Sequence, residues 1–199
     1  ADKLTSVKEQ VNVLLEEVGT ILKGIEGIET ISSKDMDLVV SYGERMSSII
    51  VASVLDAKHW NSLELVKTDK GIKKNVLNSE LTYSNIDRAY NGEHRVVMGG
   101  FISSDTETGE ITNLGRGGSD YTAAIVAGAL NAEALEIWTD VDGFLTADPR
   151  LVRNAYTIEN MSYIEAVELS NFGAKVIYPP TIYPVYEKNI PLYIKNSYN

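Results

Sequence analysis

The residues most able to do chemistry lie in the stretch Leu114-Gly115-Arg116-Gly117-Gly118-Ser119-Asp120-Tyr121-Thr122-Ala123-Ala124. Glycines flank a single arginine and then give way to Ser119, Asp120 and an apolar helical pattern of Ala124, Ile125, Ala127, Gly128 and Leu130. Glycines ahead of a helix start leave backbone N–H groups directed at an open concavity, which favours an anion. Arg116 adds a planar fork that grips a carboxylate or phosphate through two hydrogen bonds. Ser119 suits an N-cap, and Asp120 in the first turn suits the positive end of the helix dipole. No Gly-Lys-Ser/Thr closes the loop, so it is not a P-loop. Asp120 stands where the dinucleotide fingerprint needs its third glycine. The loop therefore holds an anion by another scheme.

A second group is Ser41-Tyr42-Gly43-Glu44-Arg45, inside a helical pattern that opens at Ser32-Ser33-Lys34-Asp35, a variant of the capping box. Glycine in a helix interior costs about 1 kcal/mol against alanine. A ligand passing close to the backbone at Gly43, with Glu44 facing it, would explain that cost. A solvated Glu-Arg pair beside a tolerated glycine is the alternative. The two histidines, His59 and His94, carry no metal-ligand spacing and read as surface or turn residues.

The elements that must position these groups follow from periodicity. Leu4, Val7, Val11, Leu14, Val18, Ile21 and Ile25 define a long amphipathic helix. Residues 63–68 predict a short strand and 67–75 a surface loop. Residues 95–103 predict one buried strand that includes Gly99-Gly100, followed by a hairpin into the Arg116 loop. Ala134 to Trp138 reads as a central strand after the glycine-loop helix, which makes a βαβ unit. In parallel α/β sheets ligands sit at the carboxyl ends of strands, so Gly99-Gly100, Arg116 to Asp120 and Thr139-Asp140 are expected on one rim. Residues 162–171 read as a helix, another starts at Pro179-Pro180, and Ile190 to Lys195 reads as a final strand.

The chain of 199 residues has 44% hydrophobic and 23% charged residues, which suits a soluble globular protein. A formal net charge of −10 argues against nucleic acid as a partner. The absence of cysteine excludes disulfides, thiolate chemistry and zinc–cysteine sites. No apolar run is long enough to span a bilayer and no signal-peptide pattern opens the chain, so a cytoplasmic location and no membrane partner are expected.

Five motifs, Ser41-Tyr-Gly-Glu-Arg45, Leu114-Gly-Arg-Gly-Gly-Ser-Asp-Tyr-Thr-Ala-Ala124, Trp138-Thr-Asp-Val-Asp-Gly143, Thr146-Ala-Asp-Pro-Arg150 and Phe172-Gly-Ala-Lys-Val176, stand in the order and spacing found in aspartate kinases. Over residues 35–195 the chain resembles that family, part of the amino-acid kinase superfamily. The resemblance implies an α/β fold, a three-layer αβα sandwich with a mainly parallel sheet. It implies transfer of the γ-phosphoryl of MgATP to the β-carboxylate of L-aspartate, the first step toward lysine, threonine and methionine. Carried over residue by residue, Arg116 would clamp the substrate α-carboxylate, helped by Gly117, Gly118 and Ser119, and Glu44 would meet its ammonium group. Thr139, Asp140 and Arg150 would line the nucleotide site. Lys175 would lie over the phosphates as a catalytic residue, and Asp120 would orient catalytic lysines. ATP and Mg2+ are the implied cofactors, with no metal site built from protein side chains alone.

The roles are physically coherent. A zwitterionic amino acid needs one cation and one anion held apart by its own width, and phosphoryl transfer asks mainly for positioning and positive charge. The sequence departs from the family in lacking a Lys-Phe-Gly-Gly-Thr-Ser strand and in having Leu145 where a tyrosine is frequent. The expectation is thus one incomplete kinase domain over 1–199, mainly helical over 1–57 and α/β over 63–199, with N-terminal strands and the regulatory ACT domains missing. Such a chain is expected to be inactive alone and to form a homo-oligomer, a dimer, that hides the vacated sheet edge. The competing readings are another superfamily enzyme, such as an acetylglutamate or uridylate kinase, and a non-catalytic association module.

Overall fold

A computed structural model describes residues 2–72, 75–148, 150–172 and 176–199. The chain divides into two compact units, Ala1–Ser119 and Asp120–Asn199.

The first unit opens with α1 (Lys3–Gly24) packed on α2 (Ser33–Val54). Val7, Val11, Val18 and Ile21 of α1 are half-buried and Leu14 is buried, as the heptad-like spacing requires. Ser32 caps α2: its Oγ accepts from the Asp35 N–H at 3.1 Å and donates to Asp35 Oδ2 at 2.6 Å. Next come β1 (Lys58–Trp60), α3 (Ser62–Leu65), β2 (Lys67–Asp69), β3 (Val76–Leu77), α4 (Ser79–Ala89), β4 (Val96–Met98), β5 (Ile102–Asp105) and β6 (Ile111–Asn113). β4 lies parallel to β1, and β3-β2-β5-β6 forms a second sheet with β2 parallel to β5.

Three local expectations change. Residues 62–65 form a helical turn instead of a strand, because Asn61 Oδ1 accepts the Leu63 N–H at 3.2 Å and caps it. The single strand expected over 95–103 is two strands in different sheets, divided at Gly99-Gly100-Phe101. His59 lies within β1, half-buried, with Nε2 3.0 Å from Ser48 Oγ of α2. Burial holds its pKa below the ordinary histidine value.

In the second unit, α5 (Gly118–Leu130), whose first two residues belong to the first unit, leads to β7 (Leu135–Thr139). Then follow α6 (Tyr163–Asn171), a 3-10 turn (Pro179–Thr181), α7 (Ile182–Tyr186) and β8 (Leu192–Asn196), parallel to β7. Ser162 and Glu165 close a full capping box on α6. Ala124, Ala127, Leu135, Ile137, Val185 and Ile190 form one apolar cluster; Phe144, Ala166, Ile177 and Ile182 form another. The α/β class therefore holds, with parallel pairing at β1–β4, β2–β5 and β7–β8. Among the described residues no helix is long and apolar enough to cross a membrane.

The β2-β5-β6 sheet carries a buried chain of hydroxyls. Thr112 Oγ1 lies 2.8 Å from both Thr68 Oγ1 and Ser103 Oγ, and the three residues are at most 8% exposed. Buried hydroxyls deprived of partners cost about 1–3 kcal/mol. Thr112→Val should therefore lower the stability to urea unfolding by about that amount, and Thr112→Ser should recover most of it. A Thr112→Val variant as stable as the parent would show that this chain of hydroxyls contributes nothing.

Candidate active site

The site in the first unit is built where backbone meets backbone. A Cβ added at Gly99 would stand 3.1 Å from the Glu44 carbonyl oxygen on α2. One added at Gly100 would stand 2.8 Å from Ser119 Cα, and one at Gly118 would stand 2.9 Å from Phe101 Cδ2. Real Cβ atoms do not approach as closely as at Gly100 and Gly118, so these two positions admit only glycine without displacement, and at Gly99 a side chain would require Glu44 to give by a few tenths of an ångström. The ribbon 99–101 thus wedges between α2 at Glu44 and the start of α5 at Gly118-Ser119. Ser62 Oγ donates to the Gly99 carbonyl and pins the ribbon from the far side.

The ribbon is also strained. Ile102 N–H donates to the Gly100 carbonyl at 2.8 Å, and the residue between them, Phe101, has φ +70°. That is a γ-turn of the rare positive-φ kind, and a bulky residue there costs on the order of 1–3 kcal/mol. The Leu114 N–H donates to the Phe101 carbonyl at 2.8 Å, which ties the turn to the root of the arginine loop.

Arg116 sits at the tip of that loop and is exposed. Gly115 at φ +75° and Gly117 at φ +66° take the left-handed conformation on either side of it. Gly118 N–H closes the turn on the Gly115 carbonyl at 3.0 Å, and α5 begins there. Ser119 therefore lies in the first helical turn and is not the N-cap the sequence suggested, because the glycine turn starts the helix at Gly118, two residues earlier than a Ser119 cap would. Asp120 does occupy the first turn. The first-turn N–H groups of any helix lack intrahelical acceptors and face the loop side. The first unit thus brings Glu44 and the Arg116–Ser119 loop to one ribbon. Gly43 is different: a Cβ there meets nothing within 4 Å.

Thr139, Asp140 and Arg150 lie in the second unit. Thr139 ends β7; its carbonyl accepts the Ser197 N–H at 2.8 Å and its Oγ1 donates to Asp140 Oδ1 at 3.2 Å. Asp142 Oδ1 accepts from Asn196 and Asn199, each at 2.8 Å, closing the carboxyl ends of β7 and β8. Arg150 folds back on Asp148, with Nε 3.0 Å from Oδ1 and an NH2 2.7 Å from Oδ2. This guanidinium holds the Asp148 carboxyl down at about 2. The Arg150 side chain is 86% exposed, and pairs so open to water are worth little, so Arg150 can be recruited elsewhere. Leu145 bridges Thr157 in an antiparallel hairpin. Burial raises the pKa of half-buried Asp120. Lys175 lies outside the described residues. Among the described residues no three His, Asp or Glu side chains converge as a metal site. Sequence reasoning missed Asn61-Ser62: the Asn61 cap on Leu63 is a local signal, while the Ser62 contact with Gly99 depends on chain 37 positions away.

The wedge and the open helix position predict opposite responses. Gly100→Ala must displace Ser119, so urea unfolding should show a loss of about 1–3 kcal/mol from overpacking. Gly43→Ala fills free space on an exposed helix and should add about 1 kcal/mol. Equal stability for Gly100→Ala and the parent would refute the wedge.

Comparison with known proteins agrees with this architecture. Residues 4–196 match the Amino acid kinase family. The chain is 40% identical over 190 residues to the bifunctional aspartokinase/homoserine dehydrogenase of Buchnera aphidicola, across 92% of this chain and 23% of that protein. It is 36% identical over 197 residues to chloroplastic aspartokinase 1 of Arabidopsis thaliana, across 93% of this chain and 34% of that one. Its fold is similar to that of E. coli aspartokinase III solved in complex with aspartate and ADP, with TM-score 0.86 and 33% identity, over 97% of this chain and 44% of that one. The chain thus spans less than half the length of these relatives. The glycine-shaped arginine loop, the parallel strand pairs and the match over nearly the whole sequence place this chain in the amino acid kinase family.

Proposed function

We propose that the full-length protein carrying this chain phosphorylates the β-carboxylate of L-aspartate with ATP. The observation that carries the reading is the ribbon 99–101, which packs Glu44 on one side and the Arg116–Ser119 loop on the other. An arginine fork and a glutamate held apart on a rigid wedge suit the α-carboxylate and α-ammonium of one amino acid. With both ends of the substrate held, its side-chain carboxylate is left free to react. Similarity to an aspartokinase solved with aspartate and ADP supports the same reading.

In the reaction a β-carboxylate oxygen attacks the γ-phosphorus and the bond from that phosphorus to the β,γ-bridging oxygen breaks. ADP leaves and β-aspartyl phosphate forms, the first intermediate toward lysine, threonine and methionine. Thr139 and Asp140 at the end of β7 would meet the nucleotide, and Arg150, released from Asp148, would meet its phosphates. Lys175 would neutralise charge on the moving phosphoryl group, and half-buried Asp120 would orient that lysine. A magnesium ion that arrives on the nucleotide needs only one or two protein carboxylates, and Asp140, just after β7, would supply one. Bound there, the ion would offset phosphate charge. The cytoplasm, which holds both ATP and free amino acids, is the compartment that suits this reaction.

Hydroxylamine added to the reaction should trap aspartyl hydroxamate, and Arg116→Ala should raise the aspartate KM about 10- to 100-fold with the ATP KM nearly unchanged. Arg116→Lys should recover only part of this, since a point charge cannot reproduce the fork. ADP release that needs no aspartate would overturn the assignment, and an unchanged aspartate KM would move Arg116 to another role. Lys175→Met should lower kcat while both KM values hold, because the lysine acts on charge that develops during transfer. A raised ATP KM with intact kcat would make Lys175 a ground-state contact only.

A further inference from the structure

The Arg116 turn and Glu44 can serve one substrate only if their separation is held, and the wedge alone does not hold the arginine end. Arg116 lies beyond β6, at the tip of a loop whose own closing bond, Gly118 N–H to Gly115 carbonyl, is internal to it. The Leu114 N–H holds the root of the loop to the Phe101 carbonyl of the ribbon, and a tie to α2 would fix it from a second side.

Asn113 is the last residue of β6 and pairs with Ile102 of β5. Its backbone therefore belongs to the sheet while its side chain turns toward α2, which packs against β6. The Asn113 Nδ2 donates to Asp37 Oδ1 at 2.5 Å, and its Oδ1 accepts the Gly115 N–H at 2.8 Å. One amide thus spans from the helix to the first glycine of the arginine turn. Asp37 and Glu44 are seven positions apart on α2, hence on one face and about 10 Å apart along the axis. A second tie, Lys34 to Glu110, joins α2 one turn earlier to the residue just before β6. Asp37 is a half-buried carboxylate with no cation beside it among the described residues, and burial raises its pKa. Such a group needs a donor, and Asn113 supplies it.

We propose that Asn113 is a positioning residue, whose amide couples Asp37 on the Glu44 helix to the Gly115 N–H and so sets the reach of Arg116 to its substrate. The inference rests on the aspartate-binding reading above for the identity of that substrate. The coupling itself does not depend on it. Neither residue touches the substrate.

The relay can be rebuilt backwards, and that makes it testable. N113A removes both bonds. N113D keeps an acceptor for Gly115 but sets two carboxylates face to face. The double variant D37N/N113D exchanges amide and carboxylate between the two positions, so that α2 now donates and the β6 end accepts from both sides. The test measures, in the full-length protein, Gly115 amide hydrogen exchange by NMR together with steady-state KM for aspartate and for ATP. N113A and N113D should speed Gly115 exchange about tenfold or more and raise the aspartate KM about tenfold, with ATP KM and kcat within about twofold. D37N/N113D should return both readouts to within about threefold of the parent. A merely structural asparagine would lower stability without splitting the two KM values and without rescue by the exchange. The proposal is overturned if Gly115 exchange is unchanged in N113A, or if D37N/N113D is no better than N113D. If N113A does not fold, the N113D and double-variant pair still decides. Should Gly115 exchange follow the relay while the parent turns over no aspartate, the loop coupling is upheld and the substrate assignment falls.

Discussion

Close backbone contact at Gly99-Gly100 is the constraint on which the first unit depends. Removing the Cβ at two successive positions lets one ribbon approach α2 at Glu44 and the start of α5 at Ser119 within about one van der Waals contact on each side. Because the ribbon leaves the β1–β4 sheet and enters the β5 sheet at this point, it also decides which residues each sheet contains. The positive-φ Phe101 between them is a local cost, and it persists because the Gly100, Leu114 and Gly118 contacts over-determine it.

Around that wedge the polar interior is arranged for rigidity. Thr68, Ser103 and Thr112 satisfy one another inside the sheet, and Lys67 Nζ reaches Ser104 Oγ at 2.7 Å and the Leu63 carbonyl at 2.8 Å. His59 joins β1 to α2 through Ser48, and its burial lowers the pKa, which favours the neutral ring. These bonds tie α2 and the sheet strands, and the charge among them, the half-buried Lys67 ammonium, is met by neutral oxygen acceptors. The two charges proposed to meet a ligand stay outside: Arg116 is exposed at its turn, and Glu44 is only half-buried. Such a division suits a zwitterionic substrate, because a desolvated free arginine would be costly before the ligand arrived.

The second unit follows a different logic. Its apolar clusters pack α5, α6 and α7 around β7 and β8, and its polar groups gather at the carboxyl ends of those strands. There Arg150 is held by Asp148 and Thr139 by Ser197 and Asp140. An exposed arginine paired to its own turn is cheaply released, so in the proposed function a nucleotide would recruit Arg150 by exchanging one carboxylate for phosphate oxygens.

The sequence by itself determined whatever depends on neighbours along the chain. The periods of α1 and α2, the Ser32 and Ser162 caps, the turn after β5 in which Asp105 Oδ1 accepts the Glu107 N–H at 3.0 Å, and the anion-directed glycine turn at Arg116 all rest on contacts a few residues apart. So did the candidate residues themselves, since residue type and spacing carry their chemistry. Only the tertiary structure decided what depends on distant partners. Residues 63–68 read as strand by composition, and 62–65 became helix where the Ser62 bond to the distant Gly99 carbonyl reinforces the local Asn61 cap. One apolar run across 95–103 became two strands because Gly99 and Gly100 meet Glu44 and Ser119, which no periodicity encodes. Ser119 lost its expected cap role to a turn closed by Gly115, and no protein atom lies within 4 Å of a Cβ added at Gly43, which leaves open the space a ligand would need there. Asn113 had no signal at all. Its significance comes from Asp37, 76 positions away in the chain, and from the geometry that lets one amide reach both a helix and a loop.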